Sequence, residues 1–431
     1  MPALLPGGTP PYLDSDVIAD VPPPAPPPAI VIPVPPAPIL LPLTPPPAAT
    51  ADPPPGRLLS TIEALARDAQ EYAAANAVGA DEAMRRLQAQ EESIAVTDRL
   101  AIAYRDRLAG IAIEHSPAYR IIVLLTGSEA VPDQSVSAGG LTVPILFRTG
   151  AAATRDRLLA TITEHRLAIL DALPGPAGVG IDPRSGEIVV TVKALTGGSE
   201  EALARSAEFS TLTGVPVRVR LLDQTEANLS AVGGSRVEGI DDTTGRRAAC
   251  TTGFVVTDQA RTGILTAAHC PYTLVYRDPA GTIVPLTQAG AWGARYQDVQ
   301  IQLGPTALSP LFFSDREKSV LRPVTRWRNR ASTRAGDVVC HRGERTGYSC
   351  AQIELVDYAP PGDLCGGPCD ATWVTVAGPS CGAGDSGGPV FAGTTAFGIL
   401  KGGSYRRDGG CTFYYYMSTD YLPAGWTLLY R

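Results

Sequence analysis

The chain has 431 residues, 44% of them hydrophobic, enough to fill the cores of roughly two or three ordinary domains. Its 36 Lys and Arg against 43 Asp and Glu leave a formal charge of −7, which argues against nucleic acid as the main partner because phosphate binding needs a basic surface. The one long apolar run, Ala29 to Leu43, is broken by five prolines and is too short for a membrane-spanning helix.

Residues 1–56 are dominated by Pro and Ala, including the runs Pro22-Pro23-Pro24 and Pro45-Pro46-Pro47. Such composition cannot build a packed core and favours extended polyproline conformations, so this stretch reads as a disordered spacer arm. No Lys or Arg precedes Arg57, so the basic start of an export leader is missing. Three explanations stay open: the true start is absent, the leader has been removed, or export takes another route.

From Arg57 to about Gly127 apolar residues recur near the helical period, as in Leu58, Leu59, Ile62, Leu65 and Ala66, then Ala83, Met84 and Leu87, then Leu100, Ala103 and Leu108. Strands are expected at 141–148, 187–193 and 215–221, and amphipathic helices at 152–173 and 199–212. Residues 57–228 thus read as an α/β unit without cysteine. Asn228 to Arg236 carries the Gly and Ser of a domain junction and of a proteolytic site.

Beyond it the helical pattern stops. Short alternating segments take over at 252–256, 263–266, 298–303, 337–340, 352–356, 373–376, 396–400 and 412–416, separated by Gly, Pro and Asp turns. This predicts an all-β domain over 229–431, a sandwich or a pair of barrels. All eight cysteines fall here, between Cys250 and Cys411. An even number confined to one part indicates a disulfide framework; buried thiols or a metal site is the alternative, although no Cys-x-x-Cys pair is present and Cys365-x-x-x-Cys369 has no matching second pair.

The stretch Cys381-Gly-Ala-Gly-Asp-Ser-Gly-Gly-Pro-Val-Phe391 sets Ser386 among glycines ahead of an apolar strand. Glycines permit positive φ and let main-chain N–H groups converge on a developing oxyanion. A serine needs a base and a residue to orient that base. The four histidines are His115, His165, His269 and His341. His269 lies in Leu265-Thr-Ala-Ala-His-Cys270, where a bridge from Cys270 to Cys250 would tether it, and Asp298 starts an alternating strand 29 residues later. The order His, Asp, Ser is one of the known chain orders for this kind of relay.

Thr266-Ala-Ala-His-Cys270 and Gly384-Asp-Ser-Gly-Gly-Pro389 resemble the two signature motifs of chymotrypsin-like serine proteases. Val339-Cys-His-Arg-Gly-Glu-Arg-Thr-Gly-Tyr-Ser-Cys350 and Gly393-Thr-Thr-Ala-Phe-Gly398 are similar to the bacterial branch of alpha-lytic protease and the streptogrisins. The resemblance covers about 229–431. It implies two six-stranded antiparallel β-barrels, with Ser386 as nucleophile, His269 as general base then acid, and Asp298 orienting it. It further implies an oxyanion hole from the N–H groups of Gly384 and Ser386, and Gly402 and Gly403 as the segment that pairs with substrate backbone. The implied bridges are Cys250–Cys270, Cys340–Cys350 and Cys381–Cys411, leaving Cys365 to pair with Cys369. Ser380, with Pro379, stands where trypsin-like members carry an acid at the base of the pocket, so uncharged apolar side chains are expected before the cleaved bond. Neither cofactor nor metal is expected.

Ala83-Met-Arg-Arg-Leu87 and Val179 to Val192 resemble pieces of the pro-regions of this branch, which act as folding catalysts and inhibitors. The resulting expectation is a secreted, monomeric endopeptidase made as a zymogen, acting on proteins or peptides, with its own pro-region as partner and a cut between Glu226 and Val232. Two departures stand out. Lys401 replaces a serine whose hydroxyl supports the catalytic aspartate; pointing inward it would draw Asp298 from His269, pointing outward it would be a solvated residue. His341 and Arg342 stand where the branch has an internal arginine that holds the residue matching Asp385, so either is a candidate partner. The rival readings are a non-catalytic binding module on a protease scaffold and a Pro-rich surface adhesion protein.

Overall fold

The computed structural model describes residues 57–430, apart from 176, 194–196, 223–226, 229–234, 242–244, 278–282, 306 and 363. The Pro-rich arm expected over 1–56 lies outside the described residues.

Ser60 starts the first helix, α1 (Thr61–Asn76): its hydroxyl accepts from the Glu63 N–H, and the Glu63 carboxylate accepts from the Ser60 N–H. That reciprocal arrangement satisfies two otherwise orphaned donors. Helices α2 (Ala80–Glu92) and α3 (Ile94–Ala103) follow directly. The buried face of α1 carries Ala64, Asp68, Ala69 and Tyr72, whereas Ile62 is exposed and Arg57–Leu58 form a strand parallel to Val320–Leu321. The helical reading of 57–127 stops short. Leu108–Glu114 and Arg120–Thr126 are strands, joined by Leu141–Ala151 and Gln134–Ala138 in one four-stranded sheet. Short continuous apolar runs such as Ile121 to Leu125 suit a strand covered on both faces as well as a helix, and periodicity cannot separate the two.

Helix α4 (Arg155–Asp171) and helix α5 (Gly198–Thr213) accompany a second sheet, in the order Val356–Ala359, Ala177–Asp182, Glu187–Lys193, Val217–Leu222. The edge strand of that sheet comes from the cysteine-bearing half of the chain. Further contacts join the halves. Gln90 donates to Val338 O at 3.3 Å and accepts from the Val338 N–H at 2.7 Å, pairing with the backbone as an added strand would. Arg155 pairs with buried Asp357, and Arg328 with Glu91.

After 235 the regular structure of the described chain is strand, apart from one 3-10 turn at Thr419–Tyr421. Arg247–Thr251, Arg236–Ile240, Leu274–Arg277 and Ile283–Pro285 form one sheet; Thr287–Ala294, Gln297–Leu303, Thr262–Thr266, Val255–Thr257 and Thr427–Leu428 form another. A third follows the path Gly347–Gln352, Val338–Gly343, Pro389–Ala392, Thr395–Tyr405, Cys411–Ser418, Val374–Ala377, and a bridge between Ile353 and Val376 joins its two ends. Trp373, Phe391, Phe397 and Tyr414 to Tyr416 fill the core between these layers. The expected strand at 352–356 falls on the link between Gly347–Gln352 and Val356–Ala359. Disulfides join Cys250 to Cys270, Cys340 to Cys350, Cys365 to Cys369 and Cys381 to Cys411, so no thiol is left to bind a metal.

Candidate active site

Strand Thr262–Thr266 pairs antiparallel with Gln297–Leu303, Thr266 opposite Gln300. Continuing both chains by a few residues brings His269 beside Asp298. The Cys250–Cys270 bridge anchors the residue next to the histidine. His269 Nδ1–H donates to Asp298 Oδ2 at 2.7 Å, and its backbone N–H donates to Asp298 Oδ1 at 3.1 Å. With Nδ1 carrying the proton, Nε2 is the acceptor, and Ser386 Oγ lies 2.9 Å from it. Three residues spread over 117 positions of sequence therefore meet in one relay. Histidines 115, 165 and 341 are elsewhere: His115 joins Tyr72 to Gly336, His165 lies near Glu164, and His341 is enclosed beneath the serine loop.

The serine loop is clamped by Thr251, whose hydroxyl donates to Gly384 O and whose N–H donates to Ser386 O, both at 2.8 Å. Gly387, at φ +84°, passes so close to Thr251 and Thr266 that a Cβ there would lie 2.3 Å from Thr266 Oγ1. No sequence signal singled out Thr251; register alone brings it under the loop.

Asp385 is held by the N–H groups of Gly382, Arg345 and Thr346 and by the Thr346 hydroxyl at 2.6 Å. His341 Nε2 is 4.0 Å from its carboxylate and reaches it through Thr346 Oγ1 at 3.3 Å. Burial pushes the imidazole of His341 below its ordinary range, so no fixed cation faces Asp385. Arg342 turns away to Glu344 and to the carbonyls of Asp315 and Arg316. Four neutral donors thus hold Asp385, and neither candidate partner, His341 or Arg342, donates to it directly.

Lys401 points inward. Its ammonium lies 2.9 Å from Asp298 Oδ2 and 5.2 Å from the centre of the Trp373 ring, and both charged side chains are 2% exposed. Burial pushes the Asp298 carboxyl up, but His269 and Lys401 outweigh it and hold it well below the usual carboxylate range. The carboxylate is shared between the two rather than drawn from the histidine. Trp373, which flanks the ammonium, carried no signal in the sequence.

Gly402 and Gly403 lie on Thr395–Tyr405, and Asn228 and Ala227 pair antiparallel with them. A Cβ on Gly403 would lie 2.8 Å from Phe413 O. Ser380 meets the Ser349 hydroxyl at 3.1 Å, an uncharged partner. A cavity of ≈ 280 Å³ between α4 and the Cys365–Cys369 loop, lined by Arg166, Leu170, Val179 and Pro368, includes none of the relay residues.

No protein-family model matches the chain. Among solved structures it is similar to serine proteases. One is a glutamic-acid-specific serine protease described as using a histidine triad in substrate binding, at 22% identity and TM-score 0.37, over 46% of this chain and 100% of that one. Another is protease A of Thermobifida fusca, at 23% identity and TM-score 0.36, over 47% and 100%. A third is a chymotrypsin of Cellulomonas bogoriensis, at 21% identity and TM-score 0.35, over 47% and 100%.

Proposed function

We propose that the chain is the precursor of a secreted serine endopeptidase, with residues 57–228 as pro-region and 229–431 as a two-barrel catalytic domain. The observation that carries the reading is the continuous relay Asp298–His269–Ser386, with contacts of 2.7 and 2.9 Å. Ser386 Oγ attacks the scissile carbonyl while its proton passes to His269 Nε2. Asp298 holds the tautomer and stabilises the imidazolium. The N–H groups of Gly384 and Ser386 receive the oxyanion; one such donor is typically worth about 3 kcal/mol of barrier. His269 then gives its proton to the leaving amine, the C–N bond breaks, and an acyl group remains on Ser386 Oγ until water, deprotonated by His269, releases it.

Two features support the precursor form. Ala227 and Asn228 already occupy the backbone edge of Gly402 and Gly403, as an extended substrate would. Ser386 is fully buried in this form, which suits an enzyme closed until cut. The hydroxyl partner of Ser380, in place of an acid, supports a preference for apolar side chains before the cleaved bond. Four disulfides suit an oxidising compartment, and among the described residues no helix is long and apolar enough to cross a membrane.

Fluorophosphonate labelling tests the reading. Once the upstream part has been cut away, the probe attaches to Ser386 and does not attach in Ser386→Ala. Absence of labelling at that stage would instead favour a non-catalytic binding module.

A further inference from the structure

We infer that Lys401 is a positioning residue of the relay: its ammonium anchors the Asp298 carboxylate that orients His269, so that its removal alters the pH dependence of activity, an inference that rests on the proteolytic reading. The ladder between Thr395–Tyr405 and Cys411–Ser418 pairs Leu400 with Tyr416 and Gly402 with Tyr415. Lys401 is therefore the extra residue of a β-bulge, and a bulge re-aims the side chain it carries. Here the side chain turns into the protein, 2% exposed, while its carbonyl faces Ser386 Oγ at 3.4 Å. One residue thus touches both ends of the relay.

A buried ammonium requires a counter-charge. Lys401 finds it in Asp298 Oδ2 at 2.9 Å, the same oxygen that receives His269 Nδ1–H at 2.7 Å. A hydroxyl at this place would donate a comparable hydrogen bond without a charge. The lysine adds a fixed positive charge separated from the imidazole by a single oxygen atom. When His269 takes the proton of Ser386, the new imidazolium faces that cation, and like charges at such range disfavour each other. The ionisable groups packed around Lys401 are Asp298 from Gln297–Leu303, His269 from the segment after Thr262–Thr266, the Ser386 hydroxyl, and Tyr415 edge-on behind Trp373. Met417 contributes only its sulfur, 3.4 Å from the Asp298 N–H.

The test begins with the full chain allowed to process itself, with kcat/KM on an apolar peptide followed across pH. In Lys401→Met and Lys401→Gln the acid limb moves up by about one pH unit, whereas Lys401→Arg leaves it near the parent. An acid limb that stays in place in both neutral variants overturns the proposal. A second measurement needs no change at Lys401. The chain has three lysines, Lys193, Lys318 and Lys401, so ¹⁵N-lysine NMR of the Ser386→Ala chain resolves the Lys401 ammonium. Its shift is expected to inflect at the midpoint of the His269 ring-proton titration, and two curves with no common inflection overturn the coupling. If no chain hydrolyses peptide, the proteolytic reading falls while the NMR titration still judges the lysine.

Discussion

Asp68 of α1 and Arg322 form an ion pair at 2.8 Å with both side chains sealed from solvent. The same carboxylate accepts from the Tyr348 hydroxyl and from the Gly393 N–H. The guanidinium stacks over Phe391 at 4.9 Å and Tyr348 at 5.5 Å, and its Nε and Nη2 have no hydrogen-bond partner among the described residues. Asp68→Ala therefore leaves a buried cation without compensation and is expected to destabilise the Ser386→Ala chain by about 3–5 kcal/mol, read as a lowered urea midpoint. Replacing both partners by apolar residues, Asp68→Leu with Arg322→Met, recovers most of that loss. A double variant no better than the single one would show that the helix, rather than the charge, is what matters.

His115, which meets α1 at Tyr72 rather than at Asp68, gives stability a pH dependence. Its Nε2–H donates to Gly336 O at 2.6 Å and its Nδ1 accepts from Tyr72 OH at 2.7 Å, which requires the neutral ring. Burial lowers its pKa from 6.5 to about 4. Below pH 6.5 the unfolded chain binds a proton that the folded one refuses, so stability present at neutral pH is lost as pH falls toward 4. The loss expected from this residue by pH 4.5 is about 2–3 kcal/mol, and His341, also pushed down by burial, adds in the same direction. Urea midpoints of the Ser386→Ala chain at pH 7.5 and 4.5 measure it, and His115→Gln should shrink the difference. An undiminished difference would place the pH sensitivity elsewhere.

The relay was legible because its three residues sit in short motifs whose spacing survives without tertiary information: Ala267-Ala-His-Cys270, the strand-initial Asp298, and the Gly-flanked Ser386. The direction of Lys401 was not legible, because a strand residue beside two glycines alternates in or out according to a bulge that only the partner strand reveals. Asp385 illustrates another limit. Its partners are three backbone N–H groups and the Thr346 hydroxyl, and backbone donors carry no mark in sequence. In the upstream half the strands at 108–114 and 120–126 were hidden by continuous apolar runs, and the buried face of α1 includes Asp68, a polar residue that no apolar pattern would place inside.

Gly387→Ala tests how finely the serine loop is set. Positive φ at this position is unfavourable for alanine, and the added Cβ would meet Thr266 Oγ1 at 2.3 Å and Thr251 O at 2.4 Å. The loop has to move, and Thr251, which clamps both Gly384 and Ser386, moves with it. A displacement of about 1 Å at a nucleophile costs about a hundredfold in rate. Peptide hydrolysis should fall by that order, with far-UV circular dichroism of the folded chain retained. Activity close to the parent would mean that the loop is not preorganised as described.

The pairing at Gly402 and Gly403 leads to a specific cleavage position within the stretch from Glu226 to Val232. Asn228 faces Gly402 and Ala227 faces Gly403 in an antiparallel ladder, so the count runs forward in one strand as it runs back in the other. The next residue on the Gly402–Gly403 edge, Lys401, has its carbonyl 3.4 Å from Ser386 Oγ. Residues 229–234 lie outside the described residues; on the proposed reading the cut is expected between Leu229 and Ser230, and a leucine before the cut suits the proposed uncharged pocket. Sequencing the fragment released on incubation is expected to read Ser230-Ala231-Val232, while Ser386→Ala stays in one piece. Leu229→Asp, which would bring an unpaired carboxylate into that pocket, should slow the cut at least about tenfold. A new N-terminus at another residue, or processing that continues in Ser386→Ala, would show that the strand pairing does not mark a bond poised for cleavage.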